Sequence, residues 1–156
     1  MEYAFLIYID NLVNFIKFIE ESSELEFSKD ESNLYFDWSN CFKLDVKEED
    51  LNKQNKRSFA KYCKETYGIN INILLYFNMV NNEDVDSLVW GPRTMSLLNN
   101  IMKEFSGDCI LYTNGFDIPI MVRKNGVTVV DSNEPSSKVF DFAMLDIPYT
   151  DMVIDS

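Results

Sequence analysis

The chain has 156 residues, with 26 acidic and 14 basic side chains and no histidine, so its formal charge is −12. Its length fits a single domain over residues 1–156, and a hydrophobic fraction of 46% excludes a disordered acidic chain, because such chains are poor in apolar residues. The lack of histidine excludes Ser-His-Asp and Cys-His catalytic sites and histidine-ligated metals. The acidic balance argues against nucleic acids and anionic membranes as partners, since both are bound through Lys and Arg.

The first third of the chain predicts a strand, a helix and a hairpin. Aromatic and β-branched residues over 3–9 indicate a buried strand, and apolar residues at helical spacing over 11–21 indicate an amphipathic helix. Residues 22–32 are polar and acidic, which predicts either a loop or a weak edge strand. Alternating apolar residues over 33–46, interrupted by turn residues, predict a hairpin.

The middle of the chain predicts a helix, a strand and a second helix. The first helix is expected over about 52–67, with a basic stripe along one side that balances the acidic segment before it. Residues 69–77 predict a strand with its odd-numbered apolar residues on one face and the two asparagines on the other. Because proline is favoured at the first helical position, Pro92 predicts that the next helix starts there and continues to about residue 105.

The last part of the chain predicts a β-meander and an irregular tail. Strands are expected over 109–112, 118–123 and 127–130, because Asn-Gly pairs between apolar runs favour hairpin turns. Pro119 is expected at an edge or a bulge, and Arg123 beside its turn is expected to be solvated. The tail from about residue 132 has no clear period, but its apolar residues suggest that it docks on the core.

This order of elements predicts an α+β fold. We expect a largely antiparallel sheet with two or three helices packed on one face and a C-terminal β-meander. The three cysteines form no Cys-x-x-Cys pair, which favours buried reduced thiols and a cytoplasmic location. The first ten residues lack the basic start of a signal peptide, and no apolar run reaches the length of a membrane helix.

Neither an enzyme site nor a cofactor site is predicted. The five glycines form no phosphate-binding loop. The acidic loop at 81–86 lacks the central glycine and trailing glutamate of a calcium loop, so a solvated loop is the simpler interpretation. Paired carboxylates for hydrolysis remain an open alternative, because 26 acidic residues offer many combinations.

The acidic clusters have a functional interpretation beside solubility, because carboxylates attract and hold a basic partner. The candidate partner-binding residues are Glu48, Glu49, Asp50, Glu83, Asp84, Asp86, Asp141 and Asp146.

Residues 106–130 carry a family resemblance. They read as Gly107-Asp108, an apolar run, Asn114-Gly115, a second apolar run, Arg123, Gly126 and a last apolar run. This pattern resembles the end of small bacterial immunity proteins that neutralise polymorphic or contact-delivered toxins, with the swarm-inhibition immunity group as the nearest type. In that family a tryptophan often follows the last strand, whereas here Phe140 and Phe142 occupy the region.

The resemblance implies a non-enzymatic inhibitor that binds a cognate toxin. Together with the acidic charge, it predicts a basic toxin, such as a nuclease domain, whose substrate groove the inhibitor blocks. The alternative is a phage-type acidic inhibitor that mimics nucleic acid and occupies a defence nuclease. A hydrolase with paired carboxylates is a third hypothesis, from a different class.

Overall fold

A computed structural model describes residues 2–23, 26–30, 33–38, 42–48, 59–79, 87–113 and 118–154. Within them one sheet is built from eight strands and a two-residue ninth. They are β1 Glu2–Ile7, β2 Glu26–Asp30, β3 Asn33–Trp38, β4 Phe42–Glu48, β5 Ile73–Met79, β6 Cys109–Thr113, β7 Ile118–Lys124, β8 Val127–Val130 and β9 Thr150–Asp151. The spatial order is β2-β3-β4-β5-β1-β6-β7-β8-β9, and each neighbouring pair is antiparallel except β8 and β9.

Helices lie on both faces of this sheet. They are α1 Leu12–Ser23, α2 Phe59–Tyr67 and α3 Ser87–Glu104. Because side chains alternate along a strand, β1 directs Phe5 towards the cluster that contains α1 and α3 and directs Leu6 towards the cluster that contains α2. We call the side with α1 and α3 the first face and the side with α2 the second face. None of the helices described is long and apolar enough to cross a bilayer.

The predicted α+β fold is confirmed. Two helices share one face of a largely antiparallel sheet, and the third packs on the opposite face. The strands β6, β7 and β8 form the expected C-terminal meander. Asn125 and Gly126 have φ values of 51° and 81°, which suit the tight turn that joins two antiparallel strands. Pro119 lies beside a bulge, because the register of β6 and β7 shifts between Leu111 and Tyr112.

The structure shows what is formed by two segments for which the sequence predicted no definite element. Residues 22–32 contain the end of α1 and the edge strand β2, rather than a loop alone. The tail docks as expected, since Phe140, Phe142 and Leu145 are buried in the first-face cluster. For the helix expected over 52–67, only Phe59–Tyr67 lies within the described residues.

The predicted start of α3 is wrong. The helix begins at Ser87, so Pro92 is its sixth residue rather than its first. A proline at this position removes one early backbone hydrogen bond. The helix continues through it because Met95, Leu98 and Met102 are buried against the sheet, and this packing outweighs the local preference.

The predicted single face of residues 69–77 is also wrong. Ile69 and Ile71 pack with α2 on the second face, whereas the buried apolar residues of β5 at 73, 75 and 77 belong to the first-face cluster. Asn72 lies where the alternation changes. Its side-chain Nδ2 donates to the Ile9 carbonyl at 2.7 Å, its Oδ1 accepts from the Ile9 N–H at 2.8 Å, and its backbone N–H donates to the Ile7 carbonyl at 3.2 Å. The regular alternation restarts at Ile73, the first residue of β5.

Candidate interaction surface

Two segments rich in acidic residues contain strands at opposite edges of the sheet. Residues 20–50 hold 11 acidic and three basic residues, a net charge of −8, and this segment contains β2, β3 and β4 at one edge. Residues 131–156 hold six acidic residues and one lysine, a net charge of −5, and include β9 at the other edge. With neighbouring strands about 4.8 Å apart, the two edges are separated by about 40 Å.

Most of the predicted clusters at 48–50 and 83–86 cannot be placed in the fold. Glu48 is exposed at the end of β4 and pairs with Ile73, the first residue of β5. In sequence, the second cluster comes after Met79, the last residue of β5. Five of the candidate residues lie outside the described residues: Glu49, Asp50, Glu83, Asp84 and Asp86.

The two predicted tail residues are exposed, and both have structural partners. The Asp141 carboxylate accepts a hydrogen bond from the Ala143 N–H at 3.1 Å. The Asp146 carboxylate accepts from Asn99 Nδ2 and Lys103 Nζ, each at 3.2 Å, while the Asp146 N–H donates to Asn99 Oδ1 at 2.8 Å. These bonds fasten the tail to α3, and Lys103 compensates the charge of Asp146.

Asp146 makes the attachment of the tail sensitive to acid. The hydrogen bond from Asn99, followed by the bond and charge of Lys103, lowers the pKa of Asp146 below 3.8. A carboxyl group with a lowered pKa stabilises the fold above its unfolded pKa, and this contribution is lost as the pH falls through the folded value. We therefore expect Asp146→Asn to lower the denaturant midpoint at neutral pH and to match the wild type well below pH 3.8.

The control for this prediction is Asp10→Asn, which removes one carboxylate from an exposed bend before α1. It is expected to leave the midpoint nearly unchanged at both pH values. A deficit of the Asp146→Asn protein that stays constant down to low pH would contradict the assignment, because it would not depend on ionisation.

Other tail carboxylates also hold the irregular chain in place. Asp131 is buried and accepts from the N–H groups of Asn133 and Glu134, each at 3.2 Å. Asp151 accepts from the hydroxyl and the N–H of Ser132, and these bonds lower its pKa. The sequence carries a signal for this role, since aspartate next to serine and asparagine commonly forms such turns.

Arg123, which was expected to be solvated, is instead buried, with 5% of its surface exposed. Its guanidinium donates to the carbonyls of Met102 at 2.8 Å, Phe105 at 2.5 Å and Gly107 at 2.9 Å. These carbonyls lie at and just beyond the C-terminal end of α3, where a cation also interacts favourably with the helix dipole. The sequence did not predict that Arg123 is buried, because the residue lies next to a hairpin turn, where charged side chains are usually solvated.

The remaining polar residues of the 106–130 pattern join the same network. The Asp108 carboxylate accepts from the Asn125 N–H at 3.0 Å and from the Asn70 N–H at 3.4 Å. Its backbone carbonyl accepts from the Tyr8 N–H at 3.0 Å. The polar groups of the pattern thus connect α3, β1 and the meander, and these bonds stabilise the fold.

The second face carries two lysines above tyrosine rings beside the area that α2 covers. Lys43 Nζ lies 4.1 Å from the centre of the Tyr35 ring, and Lys47 Nζ lies 6.0 Å from that of Tyr76. Asp45 pairs with both tyrosines in the strand register. Each ammonium group thus lies over one face of a tyrosine ring, where the ring quadrupole attracts it.

Four large apolar side chains in or next to β8 and β9 are exposed. They are Val127, Tyr149, Met152 and Val153, with exposed fractions of 62%, 37%, 53% and 65%. Apolar residues exposed singly are common on protein surfaces.

Among the described residues, His, Cys, Asp and Glu side chains form no group of three or more that could hold a metal ion. Cys63 and Cys109 are buried free thiols. Burial raises the pKa of Cys109 to about 12, so this thiol stays protonated and unreactive at neutral pH.

Comparison of the chain with models of known protein families, with curated proteins and with solved structures finds no match.

Proposed function

We propose that this chain is a cytoplasmic immunity-type protein that binds a basic protein toxin and neutralises it, without catalytic activity of its own. The observation that carries the proposal is an excess of negative charge that the fold does not neutralise. The sequence has 26 acidic against 14 basic residues. Such a field speeds encounter with a basic partner and suppresses binding of acidic ones.

The ion pairs among the described residues leave this excess in place. They join Lys17 to Glu21 and Lys61 to Glu65 at 4.0 Å, and Lys103 to Asp146 at 3.2 Å. Every side chain in them is more than half exposed. Each exposed pair is neutral overall and contributes little free energy, so the pairs leave the net charge of −12 unchanged.

A nuclease domain is the kind of toxin that this charge favours. Nucleases bind phosphates through lysine and arginine, and carboxylates of an inhibitor can replace those phosphates through charge-assisted hydrogen bonds. The 106–130 resemblance to immunity proteins supports the same class of partner.

The test uses the proteins encoded next to this gene. Each flanking open reading frame is expressed in a laboratory bacterium, alone and together with this chain. We expect one of them to arrest growth and this chain to restore it, with a stable complex of the two proteins on size-exclusion chromatography. Absence of a toxic neighbour, or toxicity that this chain does not relieve, would contradict the proposal.

A further inference from the structure

The sheet ends in a short strand that comes from the chain's own C-terminal tail. β9 has only two residues, Thr150 and Asp151, and runs parallel to β8, where it pairs with Val129 and Val130. Both residues of β9 are exposed, and parallel pairing is slightly less stable per residue than antiparallel pairing. The pairing itself therefore contributes little to holding β9 on the sheet.

β9 covers backbone groups of β8 that point away from β7. Lys124 and Val127 close the two-residue turn between β7 and β8, and the residues that close such a turn are hydrogen-bonded to each other. Because bonded and non-bonded pairs alternate along antiparallel strands, the N–H and carbonyl groups of Thr128 and Val130 point away from β7. The Met152 N–H donates to the Val130 carbonyl at 2.9 Å, so the tail occupies this outer edge of β8.

Polar groups fasten the two ends of the tail to each other. The Ser132 N–H donates to one oxygen of the Asp151 carboxylate at 3.1 Å, and the Ser132 hydroxyl donates to the other oxygen. The Ile154 N–H donates to the Asp131 carboxylate at 3.4 Å. Asp131 and Ser132 directly follow β8, whereas Asp151 and Ile154 lie at the end of the tail. We call these three hydrogen bonds the clasp, and they hold β9 beside β8.

The sequence of β8 favours pairing with another strand. Its four residues, Val127-Thr-Val-Val130, are all β-branched and uncharged, a composition that is typical of strands. Edge strands commonly carry charged residues that prevent pairing with another chain, and β8 has none. Its outer edge is covered instead by β9, in which Asp151 pairs with Val130. Without β9, β8 would be an open and uncharged edge.

We propose that residues 149–154 act as an edge guard, which prevents β8 from pairing with β8 of a second copy until the clasp opens. A second copy fits this edge because two β8 strands can pair antiparallel about a two-fold axis, and neither brings a charge into the ladder. The charge of −12 on each copy opposes this association at low salt, so we expect it at high salt. The edge guard is an autoinhibitory contact, and its failure would leave the proposed function untouched, because its test involves no partner protein.

Analytical ultracentrifugation of the full chain tests the edge guard. Asp151→Ala combined with Met152→Pro, the guard variant, removes the acceptor of the Ser132 bonds and the N–H that pairs with Val130. Salt of about 1 M screens the repulsion between copies, because the Debye length is then about 3 Å. We expect the wild type to sediment as a monomer and the guard variant as a reversible dimer of twice the mass. A monomeric guard variant, or a wild type that dimerises equally, would overturn the inference.

Two further variants locate the effect. Asp10→Ala combined with Met152→Ala, the matched control, removes one exposed carboxylate and the same methionine side chain but keeps the clasp and the Met152 N–H. It is expected to stay monomeric. Val129→Glu added to the guard variant is expected to restore the monomer, because it places carboxylates close together across the paired strands. A dimer that survives Val129→Glu would not form through β8 and would equally contradict the edge guard.

Ser132→Ala carries the test if the guard variant does not fold. It removes one hydrogen bond of the clasp at an exposed site, and hydrogen exchange followed by NMR reports on the Met152 and Ile154 amides. Both are expected to exchange about fivefold faster than in the wild type, the effect of losing one hydrogen bond of typical strength, while the amides of β1 are unchanged. Unchanged exchange at Met152 and Ile154 would show that the clasp does not hold β9, and the inference would fail.

Discussion

Replacing Arg123 with methionine is expected to lower the free energy of unfolding by about 2–5 kcal/mol, because each buried carbonyl left without its donor costs about 1–3 kcal/mol. The guanidinium donates to the carbonyls of Met102, Phe105 and Gly107, so its loss leaves several acceptors at the end of α3 without their donor. Methionine keeps much of the side-chain volume, and the deficit therefore reports the lost hydrogen bonds and charge rather than a cavity.

Chemical denaturation measures this effect. Lys124→Met is the control, because it removes a neighbouring positive charge from an exposed site. It is expected to change the free energy of unfolding by less than about 0.5 kcal/mol, the usual range for exposed sites. Arg123→Lys should restore only part of the stability, since an ammonium group cannot reach three carbonyls with the planar fork of arginine. Equal stability of the Arg123→Met and Lys124→Met proteins would contradict the described network.

Replacing Gly91 with alanine is expected to destabilise the protein by about 2–3 kcal/mol, a typical cost of overpacking. An added Cβ would lie 2.2 Å from the Val139 carbonyl oxygen, where the tail crosses α3. The contact is with backbone, so relief requires the tail to shift as a whole. The sign of the effect is informative, because alanine in place of glycine within a helix ordinarily stabilises it by about 1 kcal/mol.

Ser96→Ala is the matched control for this prediction, since Ser96 is exposed on the same helix. It should be neutral or slightly stabilising, as helix propensity alone dictates. A Gly91→Ala protein more stable than the wild type would show that the tail does not press against α3. Hydrogen exchange should also show faster exchange over residues 139–146 in the Gly91→Ala protein, because these residues dock beside the clash.

Much of the fold could be predicted because local signals and tertiary packing agree. The Asn125-Gly126 turn joins β7 to β8 as its sequence indicates, and the alternation of β1 matches its burial on both faces. The failures occur where one side chain or a distant contact overrides the local pattern. Asn72 exchanges hydrogen bonds with Ile9, which is 63 residues away in sequence. The local sequence around residues 69–77 therefore gives no indication of this partner.

The negative charge of the candidate surface could be predicted from the sequence, but the positions of the acidic residues in the fold could not. The excess of acidic residues is read directly from the sequence, whereas their division between two sheet edges depends on the strand order. Asp146 resembled a free contact residue because neither Asn99 nor Lys103 is near it in sequence. The exposure of Met152 and Val153 could not be predicted from the sequence, since a short apolar run next to a docked segment is usually buried as well.

We propose that the acidic surface recruits a basic protein, and the association rate with a toxin encoded beside this gene tests this proposal most directly. Stopped-flow mixing compares salt concentrations of about 0.01 M and about 1 M, where the Debye length falls from roughly 30 Å to roughly 3 Å. Electrostatic steering should make the association rate constant at low salt at least about tenfold higher, while dissociation changes less. An association rate constant independent of salt would contradict the claim.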